Sequence, residues 1–445
     1  MSSSAIEKSD YEKKKRTPID THRKTLDFSL ECLKWYGLLD HGSKKLYVHA
    51  GSIFIRYYNW AIETIVIISL AIDTFQNYND LEAVTNDVGY MFPMIGILLK
   101  TILINTDQSG VIRLIENVHT PIKKLCYSSE LGVLVEIKTT IFYQFVDYVI
   151  FAIVLGATTV TITAMAVISE TKLPLRGYFP FNVTQTPAYE IIYYIQFWDI
   201  FISSTWILFL ETSIIELIRW NNVQLIVLQS NYEKCQNWRE PRAHFEVSDA
   251  TYEAITKFEF FKVTEEDEKI YLFVPFDEIE ANVLNDSFAL RFKTCLKHHR
   301  KIIDSVNKFN DYFSVVQFFT VFITCLFACL CLFQIAVNRQ STAAVLNTAI
   351  LMSAELCHLG FWCIFGNLIL NETEKIHQSQ YNSGWESEGN IEVRNLLINS
   401  LIGSKQPLQI TAGKFFVMSL ATYLAVIQKS YSYFAILNTV HSGDN

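Results

Sequence analysis

The chain is short of charge, proline and glycine. Only 18% of its 445 residues are Asp, Glu, Lys or Arg, and it holds 9 prolines and 16 glycines. Soluble domains average about 25% charged residues. A string of small modules needs Pro- and Gly-rich joints, so that organisation is excluded, as is low-complexity or disordered character. The net charge of −8 lacks the basic excess of a nucleic-acid binder. Phosphate-loop, zinc-protease and nucleophile-elbow patterns are absent. His22-Arg-Lys-Thr-Leu-Asp27 matches the short H-x4-D acyltransferase pattern, but no companion glycine-rich block follows. The run Cys295-Leu-Lys-His298-His299-Arg-Lys301 has no second cluster to complete a metal site and reads as a solvated basic face. No enzyme activity, cofactor or metal is expected.

What the chain has in quantity is apolar residues, 50% of the total, with 14% aromatic. They are gathered into runs. A helix crossing a bilayer needs roughly 20 mostly apolar residues. Tyr148–Ser169 and Tyr312–Asn338 carry no charge at all over 22 and 27 residues. Five more runs qualify with one to three interior charges: 52–73, 88–106, 189–218, 344–370 and 414–437. The expected fold is therefore all-α, a polytopic membrane protein with seven transmembrane helices. An odd number of spans and the lack of an internal repeat argue against a transporter built from inverted halves.

Cytoplasmic segments collect Lys and Arg. With the N-terminus inside, the inside segments (1–51, 107–142, 219–311, 371–413) hold 30 basic residues and the outside segments hold 3. Discounting the long 219–311 loop, the ratio is still 17 to 3. Residues 1–27 are polar and have no signal-peptide core. The N-terminus is thus expected to be cytosolic and the C-terminus extracellular, the reverse of a G-protein-coupled receptor. None of the 9 cysteines falls in an outside segment, so no extracellular disulfide is expected. Of three glycosylation sequons only Asn182 lies outside.

The C-terminal region carries motifs. Gln406-Pro-Leu-Gln-Ile-Thr-Ala-Gly-Lys414-Phe-Phe is followed by Ser419-Leu and then Ser430-Tyr-Ser-Tyr-Phe434. Upstream stands Tyr381-Asn-Ser-Gly-Trp385. These resemble the "PLxLTAGxFFxxSL" entry to the seventh helix, the "SYSYF" near its end and the cytosolic "YxSxW" of insect odorant receptors. The related gustatory receptors end in a Thr-Tyr…Gln-Phe pattern that Thr422-Tyr423…Gln428-Lys429 fits poorly. The shared co-receptor Orco lacks "SYSYF" and has a longer loop between helices 4 and 5. The chain looks like a ligand-tuning receptor of the family.

The resemblance implies a subunit of a tetrameric, ligand-gated, non-selective cation channel, assembled with Orco in the plasma membrane of olfactory sensory neuron dendrites. A small volatile hydrophobic ligand would bind among helices 2–6, and helix 7 would line one central pore. In that frame residues 1–51 are a cytosolic segment and 52–218 hold helices 1–4. Residues 219–311 form a cytosolic base, in which Trp220, Tyr252, Phe258, Phe260 and Phe261 are packing candidates. Residues 312–370 hold helices 5–6, 371–413 return through the cytosol, 414–440 are the pore helix and 441–445 an extracellular tail. The outer halves of the spans offer Tyr90, Met91, Phe92 and Met94; Gly156, Thr159 and Thr163; Tyr189, Ile192, Tyr193, Tyr194 and Phe197; and Ile350 and Ser353 as a lining. Any one of these tyrosines could instead belong to an interfacial aromatic belt. Aligned on Tyr433-Phe434, the co-receptor's two hydrophobic gate positions fall on Ile436 and Val440, one helical turn apart, with Thr439 beside them. Such a ring can stop ions by dewetting. Glu63, Asp147, Asp199, Glu211, Glu355 and His358 are ionisable residues inside spans, and Glu355 and His358 share a helix face.

Epitope tags at the two ends test the topology. In unpermeabilised cells a C-terminal tag is expected to be accessible and an N-terminal tag hidden; the opposite pattern restores the receptor topology rejected above.

Overall fold

The computed structural model describes residues 19, 22–40, 45–168, 173–183, 185–262, 264, 266–283, 285–337 and 342–443. Within its helices, the side chains of 81–82, 161–168, 261, 337, 343–344, 347 and 440–443 are not described, so those of Phe261, Thr163 and Val440 lie outside the described set.

The helices in chain order are α1 (Lys24–Trp35), α2 (Leu46–Gln76), α3 (Leu81–Thr106), α4 (Gln108–Leu125), α5 (Leu131–Ile168), α6 (Ala188–Glu233), α7 (Asp249–Thr256), α8 (Glu278–Ala281), α9 (Phe288–Val337), α10 (Thr342–Tyr381), α11 (Ile391–Gly403) and α12 (Leu420–Gly443). Long apolar runs fold this way because a bilayer offers no partner to an open backbone N–H or C=O, and a helix satisfies both internally. Six of the described helices, α2, α3, α5, α6, α9 and α10, are long and apolar enough to cross a membrane. The seventh expected span, α12, is a 24-residue helix whose apolar run is interrupted by Gln428, Lys429, Ser430 and Ser432.

α6 is the axis of the fold. Of its apolar window 72% is buried, against 22% for α5. It packs on α10, α5, α1, α9 and α2. Trp206, Trp220, Leu225 and Leu228 are fully enclosed along its length. The outer helices instead present Ile65, Ile68, Ile153, Phe322 and Leu424 outward, as lipid-facing positions should.

α6 and α9 run well past the expected membrane ends at residues 218 and 312 into a base closed by residues 234–287. Asn231 clamps that segment by accepting from the Val274 N–H and donating to the Val274 carbonyl, both at 2.7 Å. Asp286 receives Arg242 at 2.6 Å and Arg291 at 2.8 Å. Burial pushes the Asp286 carboxyl up, but the two guanidinium hydrogen bonds outweigh it and hold the group below its ordinary value. Phe260 stacks on Phe142 with ring centroids 4.2 Å apart, Phe258 is half-buried and Tyr252 stays exposed. The expected solvated basic face at His298-His299 is corrected here. Both histidines are buried, and His298 stacks on the Phe276 ring. Burial drives the His299 imidazole down to about 4 and that of His298 well below its ordinary value, so both are neutral packing groups at pH 7.

The motif-bearing run near the end of the chain also differs from expectation. Residues 414–419 do not open the last helix. Thr411–Ala412 (β1) and Phe416–Val417 (β2) pair antiparallel around a turn in which Gly413 and Lys414 both have positive φ. The turn is the physical reason for the late start: a β-region exit from two left-handed residues cannot continue as an α-helix. The hairpin is pinned to α9. Ser314 accepts from the Gly413 N–H at 2.7 Å, and the Asn310 amide bonds to Gln409 and Thr411 at 2.8 and 3.0 Å. On its other side it meets α10 at Gly366, where an added Cβ would lie 2.1 Å from the Met418 carbonyl oxygen.

Gly366→Ala is therefore expected to destabilise the protein by about 1–3 kcal/mol, whereas Gly51→Ala, with nothing within 4 Å of the new methyl, should be neutral or stabilising by about 0.5–1 kcal/mol. Thermal melts of the two detergent-purified variants against the parent chain check the pair.

Candidate ligand cavity

One cavity of about 260 Å³ lies among α3, α5, α6, α9 and α10. At interior packing density it holds on the order of ten heavy atoms. Its wall is built from consecutive turns of the five helices. α3 supplies Tyr90, Phe92, Pro93, Met94 and Ile97; α5 supplies Phe151, Leu155 and Thr158; α6 supplies Ile200 and Ile207. α9 adds Val316, Phe319 and Ile323, and α10 adds Leu351 and Phe361. Two residues of α3 shape this wall. Pro93 has no N–H to give to the carbonyl of Gly89 one turn back. Gly89 itself has no side chain, and a Cβ there would strike the Phe327 ring at 2.6 Å.

The wall is apolar, but one end is ionic. Lys100 and Glu211, both buried, form an ion pair between α3 and α6. The indole N–H of Trp362 donates to the other Glu211 oxygen at 2.9 Å, and His358 Nε2 lies 3.5 Å from the first. The Lys100 ammonium also sits 5.4 Å from the centre of the Trp362 ring. Glu355 and His358 line the same end from α10. A second polar group adjoins it: Ser203, a lining residue, donates to Glu63 at 3.4 Å, with buried Asp199 one helical turn before it on α6.

Of the lining read from sequence, Tyr90, Phe92 and Met94 face this cavity. The others do not. Met91 turns to a small cluster of Val66, Leu70 and Ile200. Thr159 sits 3.1 Å from Ser204, which does line the cavity. Gly156 faces open space. Tyr189, Tyr193 and Phe197 form a ladder of rings along α6, at 6.0 and 6.4 Å. Tyr194 stacks on Trp198 and meets the Tyr58 hydroxyl at 3.4 Å. Ile192 is buried away from the cavity. Ile350 is half-buried, and Ser353 bonds back to the Ala349 carbonyl. The physical reason for the shift is depth. On α6 the lining begins at Ile200, beyond the run from Tyr189 to Trp198 in which aromatic residues pack on one another. Lys100 carried a signal that sequence reasoning passed over, as the single cation in the second apolar run.

The arrangement has relatives. The family model of the 7tm Odorant receptor matches residues 80–431. The chain belongs to the insect odorant receptor family. It is a receptor, not an enzyme, and a membrane protein. The receptor is 27% identical over 165 residues to Odorant receptor 13a of Drosophila melanogaster, a match covering 35% of this chain and 40% of that one. It is 27% identical over 160 residues to Odorant receptor 10 of Aedes albopictus, covering 36% and 42%. The matched part thus spans about two fifths of the length of these curated relatives. The fold matches over nearly the whole length. The insect olfactory receptor OR5 from Machilis hrabei superposes with a TM-score of 0.70 at 14% identity, covering 94% of this chain and 98% of that one. The same protein in complex with eugenol superposes at 0.69 and 13% identity, with the same coverage.

Lys100→Met in the receptor leaves a buried carboxylate without its cation, which costs about 3–5 kcal/mol. The single variant is expected to melt early and reach the cell surface poorly. Lys100→Met combined with Glu211→Leu should recover most of the loss, and a full double-mutant cycle of melting temperatures measures the recovery.

Proposed function

We propose that the chain is the odorant-binding, tuning subunit of a heteromeric ligand-gated non-selective cation channel, assembled with the co-receptor in a tetramer. A small volatile occupies the cavity among α3, α5, α6, α9 and α10. Its binding opens a central pore lined by α12 of each subunit. The observation that carries this reading is an apolar cavity of odorant size within a fold whose solved relative holds eugenol. A ligand of about ten heavy atoms, well below the ceiling of about −1.5 kcal/mol per atom, reaches roughly micromolar affinity. Only its preference for the open over the closed state drives gating.

The last helix supports the pore assignment. α12 packs on α9 and α10 and leaves Leu424, Ile427, Tyr431 and Ile436 exposed in the single chain. Exposed faces of this kind meet other subunits, lipid or a water-filled path. Ile436 and Val440 are the gate positions, with Thr439 beside them. The basic residues place the N-terminus in the cytosol and the C-terminus outside, which puts Asn182 on the face where glycan is added. The site of action is the plasma membrane of olfactory sensory neuron dendrites.

Co-expression with the co-receptor and a panel of volatiles tests the reading. Ligand-evoked cation current is expected with both subunits and not with either alone. Ile436→Ala or Val440→Ala should raise the ligand-free current or alter ion preference. A chain that stays silent to every volatile, or that conducts without a co-receptor, overturns the assignment.

A further inference from the structure

The ionic end of the cavity has more acid than base. Lys100 is spoken for by Glu211, whose second oxygen takes the Trp362 N–H. Glu355 lines the same space from α10, and no hydrogen bond or ion pair to it is found among the described residues. His358, one turn along, holds its Nε2 3.5 Å from Glu211. Lys100 and His358 both lie against Glu211, and a carboxyl left without a partner within a membrane interior is costly. Around these groups the wall is hydrocarbon: Phe151, Leu155, Ile207, Phe319, Leu351 and Phe361. The cavity is thus an apolar pouch whose unused polar valence is that of an acceptor.

We propose that the receptor selects ligands whose polar head donates a hydrogen bond, a hydroxyl or amine on an apolar body of about ten heavy atoms, and that Glu355 is the acceptor that reads it. This rests on the cavity being the odorant site, and it adds the head-group chemistry. The head would sit against Glu355 and His358, with its body along α3 and α9. A pocket built to hydrogen-bond a donor rejects the analogue lacking one, because the acceptor is then left unpaired. An ester, ether or alkane of equal size fills the same hydrocarbon wall but leaves Glu355 unsatisfied. Hydroxyl and amine heads are separated by charge: a protonated amine adds an ion pair with Glu355, whereas an alcohol adds only the hydrogen bond.

The test is a set of dose–response curves on the receptor co-expressed with its co-receptor, using matched probes: 1-octanol, octylamine, octyl methyl ether and nonane. Octanol or octylamine is expected to be at least tenfold more potent than the ether and the alkane, the worth of one hydrogen bond to a charged acceptor. In Glu355→Leu that advantage should vanish while the ether's potency holds. In Glu355→Gln the alcohol should keep part of its potency and the amine should lose its own. Surface labelling shows whether each variant reaches the membrane; where one does not, the parent chain's probe series decides alone. Equal potency across the four heads overturns the head-group assignment and leaves the receptor reading standing. Silence to these and to a wide volatile panel overturns the receptor reading itself.

Discussion

Lys100 and Glu211 meet where charge is most expensive. Each sits in the middle of an apolar run, and each would be costly alone in a membrane interior. Together they bind α3 to α6, and the Trp362 indole and His358 bring α10 to the same point. Three of the six membrane-length helices are thereby fixed to one another at a single depth. Such a pair adds little net stability over a hydrocarbon core. Its effect is on register: α3, α6 and α10 cannot slide without parting the charges. The cavity forms directly beside this knot, with Lys100, Glu211 and His358 among its lining.

The rest of the fold divides by solvent. Within the membrane-length segments, apolar side chains face both the core and the lipid, so burial there follows helix packing and not hydrophobicity. In the base, ordinary aqueous rules return. Arg242 and Arg291 converge on Asp286, Asn231 clamps an extended segment, and the buried histidines stay neutral. α6 and α9 belong to both regimes, and their lengths of 46 and 50 residues make them the struts that join the two.

Much of the fold was legible in the sequence. Length of apolar run identified six crossing helices, since no other signal is needed once a window is long and carries few charges. The seventh was anchored by its motifs. Its entry motif was read in the wrong structure: Thr411 to Val417 form a hairpin, and no periodicity over so few residues could distinguish a two-residue strand from a helix start. The cavity was legible in part. Tyr90, Phe92 and Met94 face it, because α3 was placed correctly; the α6 tyrosines do not, because which face of an all-apolar helix turns inward is set by its neighbours. Glu211, Glu355 and His358 stood out in the sequence as charges inside spans. Their assembly with Lys100 depends on contacts across more than a hundred residues of chain.

α9 has two occupied faces. Val316, Phe319, Thr320 and Ile323 form part of the cavity wall. Ser314 and Phe318 hold the hairpin, and Cys325 accepts from Ser430 of α12 at 3.0 Å. At a side-chain radius of about 5 Å, a 10° turn of the rod about its own axis displaces both rows by about 1 Å, in opposite directions. Close packing leaves little slack to absorb that displacement. A rotation of α9 would therefore move the cavity wall and the seat of the last helix together.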